Sequence, residues 1–569
     1  MPFARPTPTI GDRTSAATRA GDPTGWRMGD HVAPLADVIA ARRDIRRFRP
    51  DEVPADVLEQ VLLAGHRAPS VGHSQPWRFI VVRDPRLRDA AAAMADRARL
   101  RQAAQMEEKS ARGLLDLRLE GIREAPLGVV VACDRRTPAA GVLGRATFPD
   151  TDLWSCACAI ENMWLTARAQ GLGLGWVTLF EPTELAALLG LPDGVETLGW
   201  LCLGWPDERP PEPGLERAGW SKRQPLENVV MYDGWAEGSA PPPSHLAAPD
   251  QSAVVAARDE ADRLLTPVGS LGVLDTVLDR LHALPHPPRA ATLVIAAADH
   301  AVTAHGVSAF EQRVTADVWA ATQQGTSLGA VAAARAGIGV EALDAGVGVR
   351  RGDLVTTDAL TRTDLDTALT RGRAIGERFA PGGLVALGEI GVGNTTVAAA
   401  MTAALLDLPP ETVIGRGAGA DTAMIERKTR VVAAALARAT DRAPLEVLRA
   451  LGGAEIATLT GVVLGAVAGG AGVVLDGLAT SVAALVAARL EPAVVAHLVA
   501  GQRSREPGHA AVLVDLGLEP VLDLRIRTGE GVGAAMACQV VLTASALRTS
   551  TARTVEPLVR RCTASQPGS

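Results

Sequence analysis

A carboxylate between two glycines is the first candidate for catalysis in this 569-residue chain: Gly529-Glu530-Gly531. Flanking glycines let a ligand approach the Glu530 side chain closely, and a positioned carboxylate can act as a general base. The segment 388–396, GEIGVGNTT, places backbone N–H groups and hydroxyls at a predicted helix start, which is typical of an anion site. A single loop of this kind is more often a structural turn.

Two other loops have a similar setting. The segment 267–272, PVGSLG, is predicted to open an amphipathic helix that is capped by Ser270. Asp299-His300 follows a short apolar run that reads as a strand. Four such loops favour a ligand site over four unrelated turns. The sequence contains no Walker A, His-Glu-x-x-His or nucleophile-elbow motif that would suggest another chemistry.

A cluster of arginines around one carboxylate marks a second candidate site. The segment 42–47 reads RRDIRR, so four guanidinium groups flank Asp44. Arginine suits bidentate binding of phosphate, and Asp44 among these cations is expected to stay ionised. Alone, the cluster is more typical of a solvated basic turn. Three segments accompany it downstream: SVGHSQPW from Ser70, GLGWVT over 173–178, and RQPL from Arg223.

The distribution of aromatic residues indicates that these two sites belong to separate domains. Nine of the ten tryptophans precede residue 236, and the chain is longer than the roughly 250–300 residues that one hydrophobic core serves. The GSAPPPS stretch over 238–244 is typical of an extended linker. The predicted division is a disordered tail over 1–31, a domain over 32–236, a linker over 237–250, a domain over 251–555 and a tail over 556–569.

The second domain has the pattern of an α/β fold with a parallel sheet. Short apolar strands run into glycine-rich or polar turns and then into helices, which is typical of a three-layer, Rossmann-like arrangement with ligands at the carboxyl ends of the strands. The first domain mixes helices with short strands. In the first domain a buried helix is predicted over 152–169, and strands are predicted over 79–82 and 127–132. In the second domain strands are predicted over 292–297, 384–387, 473–475 and 521–524.

Composition argues against several classes of protein. The net charge of −7 offers no basic stripe for a phosphate backbone, so nucleic acid is not an expected partner. The six cysteines form no Cys-x-x-Cys pair and have no zinc-ligand spacing, which favours reduced thiols, no metal site and a cytoplasmic location. The uncharged run 456–475 has the small-xxx-small spacing of membrane helices, but its closing glycines break the helix, so no membrane span is expected.

The arginine cluster and its three companion segments together resemble the flavin-dependent nitroreductase superfamily, and within it 5,6-dimethylbenzimidazole synthase, over about residues 32–236. The resemblance implies an α+β fold and a dimer that holds FMN at the subunit interface. It also implies that reduced FMN is fragmented with O2 as co-substrate, so that FMN is cofactor and substrate at once, with NAD(P)H as a possible electron source. The implied flavin contacts are Arg42, Arg43, Asp44, Ile45, Arg46, Ser70, Thr178 and Arg223.

Two residues of this set carry implied catalytic roles. Asp44 stands where ordinary nitroreductases usually have serine, and we assign it to proton transfer as a hypothesis. Thr178 stands where the family usually has a serine near the reactive part of the flavin. Threonine keeps the hydroxyl but is stiffer at χ1. This departure therefore bears on the reaction of the reduced flavin with O2.

The loops of the second domain resemble nicotinate-nucleotide–dimethylbenzimidazole phosphoribosyltransferase over about residues 250–550, with PVGSLG, GEIGVGNTT, LGGAEIA, SREPGH and LDLRIRTGEG in the family's order. The implied reaction displaces nicotinate from its mononucleotide by dimethylbenzimidazole and gives α-ribazole phosphate. Glu530 matches the family's base. The implied substrate contacts are Ser270, Asp299, His300, Glu389, Gly391, Gly393, Asn394, Thr395, Gly417, Gly419 and Lys428.

The product of the first implied reaction is the acceptor of the second. The expected function is therefore a bifunctional enzyme that supplies the lower ligand of cobalamin, with small molecules as partners and a homodimer or larger homo-oligomer as its assembly. Departures from the family strings at Leu478-Ala479-Thr480 and Gln502 affect substrate contacts, whereas His300 and His509 are expected to order loops. Two alternatives remain open for the first domain: an ordinary NAD(P)H-dependent nitroreductase, or an inactive flavin-binding module that regulates the transferase.

Overall fold

The computed structural model describes residues 3–4, 16, 32–116, 121–235, 244–417 and 419–555. The chain divides into two compact units: the N-terminal unit, Thr24–Ala240, and the C-terminal unit, Pro241–Ser569 together with Met1–Pro23. The two-domain organisation predicted from the sequence is confirmed. Most of the predicted tails and the first half of the predicted linker lie outside the described residues.

One short strand belongs to the segment that was expected to be a disordered tail. Strand β1 (Phe3–Ala4) pairs in parallel with Thr554–Val555 near the other end of the chain. Its ladder partner lies in the C-terminal unit, to which Met1–Pro23 also belongs. For these two residues the expectation of disorder is therefore wrong, because backbone pairing gives them defined hydrogen-bond partners.

The N-terminal unit is built on an antiparallel sheet, as an α+β fold requires. The strands are β2 (Trp77–Val82), β3 (Leu127–Asp134), β4 (Gly173–Val177) and β5 (Val195–Gly204), in the order β2-β3-β5-β4. Helices cover the sheet and fill two hydrophobic clusters. The helices are α1 (Val32–Ala41), α2 (Ala55–His66), α3 (Pro85–Ala104), α4 (Glu108–Asp116), α5 (Thr151–Ala169), α6 (Pro182–Leu189) and α7 (Gly214–Arg217).

The central strand β3 shows why both faces of this sheet are buried. Val129 and Val131 pack in one cluster with residues of α5, whereas Val130 packs in the other cluster with alanines of α3. Successive side chains of a strand point to opposite faces, so a strand covered on both sides is apolar throughout. The predicted strands and the predicted helix of this domain are confirmed, with ends that shift by up to two residues.

The C-terminal unit is built on a five-stranded parallel sheet, as predicted. The strands are β6 (Ala290–Ala298), β7 (Gly339–Gly346), β8 (Gly383–Ile390), β9 (Gly472–Leu475) and β10 (Leu498–Ala500), in the order β10-β9-β8-β6-β7, while β11 (Thr554–Val555) pairs with β1. The helices are α8 (Gln251–Asp262), α9 (Val273–His282), α10 (Arg313–Gln323), α11 (Leu328–Arg335), α12 (Arg362–Phe379), α13 (Asn394–Leu406), α14 (Pro410–Val413), α15 (Thr422–Arg438), α16 (Pro444–Leu451), α17 (Ala454–Ala468), α18 (Leu478–Leu490), α19 (Pro507–Asp515) and α20 (Val532–Ser550).

Two local predictions for this unit are wrong. The segment 521–524 is not a strand: Leu522 forms a single bridge with Gln502, and the chain then turns at Arg525, whose φ is 57°. Ser270 does not cap α9, because the helix begins after Gly272 and has no side-chain cap. The Ser270 hydroxyl instead donates to the Pro267 carbonyl.

The small-xxx-small spacing within 456–475 has a packing explanation. Gly461 and Gly465 of α17 face α12 so closely that a Cβ on Gly465 would lie 2.0 Å from the Arg373 carbonyl oxygen. Small residues permit such close contact between helix backbones. Every residue from Ala454 to Val467 is buried in the fold.

One helix in the described part of the chain, α20, is long and apolar enough to cross a membrane by length and composition. Its residues Ala534, Cys538 and Val541 pack in the cluster that covers one face of the parallel sheet. These contacts are those of a core helix, because they place its apolar side against the sheet.

Candidate active sites

The C-terminal unit contains a cavity of about 510 Å³ at the carboxyl ends of β8 and β9. We call it the C-terminal cavity. In parallel sheets the loops at this edge converge, and they bring together residues that are far apart in sequence. The residues of the implied site that line it are Glu389, Gly391, Gly393, Asn394, Thr395, Gly417, Gly419, Lys428 and Glu530.

Glu530 is held at this cavity by backbone groups. Its N–H donates to the Glu389 carbonyl at 3.0 Å, and its Oε2 accepts a hydrogen bond from the Gly329 N–H, also at 3.0 Å. Gly329 lies in the first turn of α11, where backbone N–H groups lack helical partners and interact favourably with a carboxylate. Glu530 itself has a φ of 64°, an uncommon conformation for a residue with a side chain. The surrounding contacts therefore fix the position of this carboxylate.

Glu389 is a second carboxyl group in the same cavity. The side-chain amide of Asn394 donates to its Oε2, and burial raises the pKa of Glu389 well above its usual range. The nearby carboxylates of Asp476 and Glu455 raise this pKa further, whereas the hydrogen bond from Asn394 lowers it. Glu389 is therefore more readily protonated than a solvent-exposed glutamate, and in its protonated form it can donate a hydrogen bond to a ligand.

Cationic side chains gather near the start of α13. The Lys428 Nζ lies 3.4 Å from the Thr395 hydroxyl oxygen, and the pKa of Lys428 is lowered by burial while the Glu506 carboxylate acts in the opposite direction. Glu506 Oε1 accepts a hydrogen bond from the Gly417 N–H at 2.8 Å, which orders the loop before α15. Three arginines also line the cavity: Arg416, Arg505 and Arg527. This positive charge suits a phosphate group.

The candidate site of the N-terminal unit lies along β4. The Ile45 N–H donates to the Leu174 carbonyl at 3.0 Å, so the segment around Asp44 runs beside the edge strand. Asp44 Oδ1 accepts a hydrogen bond from the Trp176 N–H at 3.1 Å. Arg46 donates through Nη2 to Asp44 and to the Trp176 carbonyl. Its Nη1 is buried without a hydrogen-bond partner in the described residues, so it is free to donate to a ligand oxygen.

The expectation that four arginines surround Asp44 is wrong, whereas the expectation that Asp44 is ionised stays a prediction. Only Arg46 forms an ion pair with Asp44 in the described residues, and the Asp44 side chain is still 42% exposed. Partial burial raises the pKa of Asp44, whereas Arg46, the Trp176 N–H and Arg42 lower it. The Arg42 guanidinium lies 4.6 Å from the centre of the Trp164 ring. Arg43 donates to backbone carbonyls.

Arg43 and Ile45 line a cavity to which Asp44 and Arg46 do not contribute. That cavity has a volume of about 840 Å³ and includes Trp164 and Trp205. Successive residues of an extended segment point to opposite sides, which separates Arg43 and Ile45 from Asp44 and Arg46. The structure therefore separates two of the implied flavin contacts, Arg43 and Ile45, from two others, Asp44 and Arg46.

The remaining implied flavin contacts lie in other segments. The Ser70 hydroxyl accepts a hydrogen bond from the Gln75 N–H, Thr178 is exposed directly after β4, and Arg223 is exposed in an irregular segment. Within the described residues, no hydrogen bond or ion pair of Asp44 or Arg46 involves any of these three.

Comparison with known proteins decides the family. A model of the phosphoribosyltransferase family matches residues 246–557, which is more than half of the chain, and a model of the nitroreductase family matches residues 39–205. The chain belongs to the phosphoribosyltransferase family. Its N-terminal unit belongs to the nitroreductase family.

Three relatives illustrate these similarities. The chain is 40% identical to a nicotinate-nucleotide–dimethylbenzimidazole phosphoribosyltransferase of Thermus thermophilus, over 52% of this chain and 95% of the relative. It is 42% identical to a 5,6-dimethylbenzimidazole synthase of Rhodospirillum rubrum, over 32% of this chain and 87% of the relative. A crystal structure of CobT from Thermus thermophilus is 38% identical over 52% of this chain and 96% of that chain, with a TM-score of 0.49.

Three residues that the phosphoribosyltransferase resemblance implied as substrate contacts do not line the C-terminal cavity. Ser270 is exposed near the start of α9. Asp299 and His300 line a separate cavity of about 10 Å³, roughly the space of one water. The His300 ring is buried behind Gly391, with its Nε2 2.9 Å from Glu455 Oε1. The placement of His300 agrees with its expected role of ordering a loop.

His509 also orders a loop. Its Nδ1 accepts a hydrogen bond from the Ser504 N–H at 3.0 Å, and its Nε2 lies 3.0 Å from the Ser481 hydroxyl oxygen. An Nδ1 that accepts from a backbone amide leaves the proton of the neutral ring on Nε2. Burial lowers the pKa of His509 to about 4, so the ring is neutral at physiological pH.

Several residues of the phosphoribosyltransferase cavity were not assigned from the sequence. Arg505 and Arg527 lie inside the quoted strings SREPGH and LDLRIRTGEG, so the signal was present, but arginines in loops are usually solvated. Asp476 directly follows the predicted strand 473–475, a position that by itself is typical of an ordinary turn. Gln502 and Leu478, which were noted as departures from the family strings, also line the cavity.

Proposed function

We propose that the chain is a bifunctional enzyme of cobalamin lower-ligand biosynthesis. The N-terminal unit converts reduced FMN to 5,6-dimethylbenzimidazole, and the C-terminal unit transfers phosphoribose from nicotinate mononucleotide to that product. One observation carries the proposal: relatives of the first unit are named for making the compound that relatives of the second unit are named for using. Both units occur in one chain.

The C-terminal cavity supports the transfer step. A benzimidazole nitrogen attacks C1′ of the ribose with its lone pair, and nicotinate leaves with the electrons of the bond that breaks. The proton of the other benzimidazole nitrogen passes to the carboxylate of Glu530, which the Gly329 N–H holds in place through Oε2. Removing this proton as the bond forms makes the ring a stronger nucleophile. Glu530 is therefore proposed as the general base.

The rest of the cavity supports binding of the nucleotide. Lys428 and the N-terminus of α13 supply positive charge for the phosphate, and they are assisted by the arginines of the lining. Glu389, whose pKa is raised, is proposed to donate a hydrogen bond to the ribose in its protonated form. Asn394 fixes the orientation of Glu389.

The N-terminal unit is of a flavin-binding family, and the buried, unpaired Nη1 of Arg46 supports FMN binding beside Asp44. Reduced FMN would supply the electrons for O2 and the ring atoms of the product. The free Nη1 of Arg46 would donate to a flavin oxygen, and Asp44, whose pKa is raised by burial, would accept and return a proton. Ser70 and Arg223 form no hydrogen bond or ion pair with Asp44 or Arg46 in the described residues, and we propose that a second copy of the chain completes the site, as the nitroreductase resemblance implies.

A single coupled reaction tests the proposal. The purified chain is incubated with FMN, a chemical or NAD(P)H-linked reductant, air and nicotinate mononucleotide, and α-ribazole phosphate is measured by mass spectrometry. Parallel reactions receive dimethylbenzimidazole directly. Product only in these parallel reactions would mean that the N-terminal unit is an ordinary nitroreductase or an inactive flavin-binding module. No product in either reaction would contradict the proposed transfer.

A further inference from the structure

Asp476 is a buried carboxylate for which the proposed transfer step gives no role. It directly follows β9, lines the C-terminal cavity and is 1% exposed. Its Oδ1 accepts three hydrogen bonds: from the Gly533 N–H at 2.9 Å, from the Ala534 N–H at 3.2 Å and from Gln502 Nε2 at 3.0 Å. All three donors belong to segments far from Asp476 in the sequence.

Two of these donors belong to the helix that follows the Glu530 loop. Gly533 and Ala534 lie in the first turn of α20, which begins directly after Gly529-Glu530-Gly531. The N–H groups of a first turn have no partner within their own helix, so an external carboxylate both satisfies them and fixes the helix start. Asp476 therefore secures the chain three residues after Glu530.

The opposite side of the loop is secured separately. The Glu530 N–H donates to the Glu389 carbonyl of β8, while the side of the loop toward α20 depends on Asp476. The φ of 64° at Glu530 is an unfavourable conformation that persists only when the surrounding structure imposes it. Loss of either contact would let the loop relax and move the carboxylate.

We propose that Asp476 is a positioning residue for Glu530. It holds the first turn of α20, and through that turn it holds the Glu530 backbone in the conformation that presents the carboxylate to the acceptor. The inference rests on the proposed transfer function, since Glu530 acts as a base only in that reaction. Asp476 itself takes no proton from the substrate in this proposal.

The first test compares two variants of Asp476 in the full-length chain. Asp476→Ala removes the acceptor of all three hydrogen bonds, and we expect kcat for α-ribazole phosphate formation to fall by about 10- to 100-fold, as for a misplaced catalytic group. Because Asp476 also raises the pKa of Glu389, the KM for nicotinate mononucleotide should change to a similar extent in Asp476→Ala and Asp476→Asn, whereas kcat should differ between these variants. Asp476→Asn keeps an oxygen that accepts from the α20 amides, so it should recover most of the activity.

The second test distinguishes positioning from a general structural role. In a Glu530→Gln background, Asp476→Ala should cause little further loss, because effects that act through one residue are not additive. Asp250→Ala is a matched control. The Asp250 carboxylate accepts a hydrogen bond from the Ala253 N–H and so caps α8, which does not line the cavity. Its removal should leave kcat unchanged.

The results of these variants decide between a positioning role of Asp476 and a general structural role. If Asp476→Ala lowers the rate by the same factor with Glu530 and with Gln at position 530, the positioning role is overturned. If Asp476→Ala does not fold, Gly533→Ala disturbs the same hydrogen-bonded group, because its Cβ would lie 2.7 Å from Asp476 Oδ1 and still closer to the side chain of Gln502, which donates to Asp476. A wild-type chain without transfer activity overturns the proposed function, and a normal kcat in Asp476→Ala overturns the inference alone.

Discussion

Replacing Glu530 by glutamine isolates the proposed proton transfer from the rest of the cavity. Glutamine has the same length and retains a side-chain oxygen that can accept the Gly329 N–H hydrogen bond, so the loop geometry should persist. The variant loses only the capacity to accept the benzimidazole proton. General base catalysis is typically worth about 10²–10⁴-fold, so kcat should fall by this factor, which corresponds to about 3–5 kcal/mol in the activation free energy.

The assay supplies nicotinate mononucleotide and dimethylbenzimidazole directly and follows α-ribazole phosphate by mass spectrometry, so that the N-terminal unit has no influence. The exposed Glu519→Gln, in the same unit and outside the cavity lining, is a matched control that should keep wild-type activity. The KM for both substrates should change little, because the binding contacts remain. A loss of less than tenfold in Glu530→Gln would refute the assignment of Glu530 as the base.

Three further predictions concern both units. Asp44→Asn should retain FMN, since asparagine still accepts the Trp176 N–H, but should form dimethylbenzimidazole at least about 100-fold more slowly; a normal yield by mass spectrometry would contradict this. Gly175→Ala places a Cβ 2.2 Å from the Ile45 carbonyl oxygen, so FMN affinity in an absorbance titration should fall at least about tenfold, whereas Gly214→Ala, with open space, should not change it. The pKa of His509 is about 4, below the value near 6.5 of an unfolded histidine, so its contribution to stability is complete above pH 6.5 and decreases by about 3 kcal/mol as the pH falls toward 4. His509→Asn keeps an acceptor for the Ser504 N–H and should lose this part of the pH dependence in urea unfolding; an unchanged dependence would contradict the assignment.

Periodicity and composition predict a strand or helix correctly where the residues of that element themselves carry the hydrophobic pattern. The strands β6, β8 and β9 are apolar runs followed by polar or glycine-rich turns, and this pattern fixed both the parallel sheet and the edge where ligand residues gather. The segment 521–524 carries the same apolar signal but forms only one bridge. Arg525 turns the chain there, and the pattern of residues does not reveal that turn.

The sequence by itself determined which residue types are available for chemistry: a carboxylate between glycines, an anion-binding helix start and an arginine-rich segment, in two domains. Only the tertiary structure decided what each side chain contacts. Gly329 and Asp476 secure the Glu530 loop although they are distant from it along the chain, and Arg43 points away from Asp44 although the two are adjacent. The physical reason is that hydrogen bonds and desolvation act over a few ångströms in space, whereas a sequence pattern records only order along the backbone.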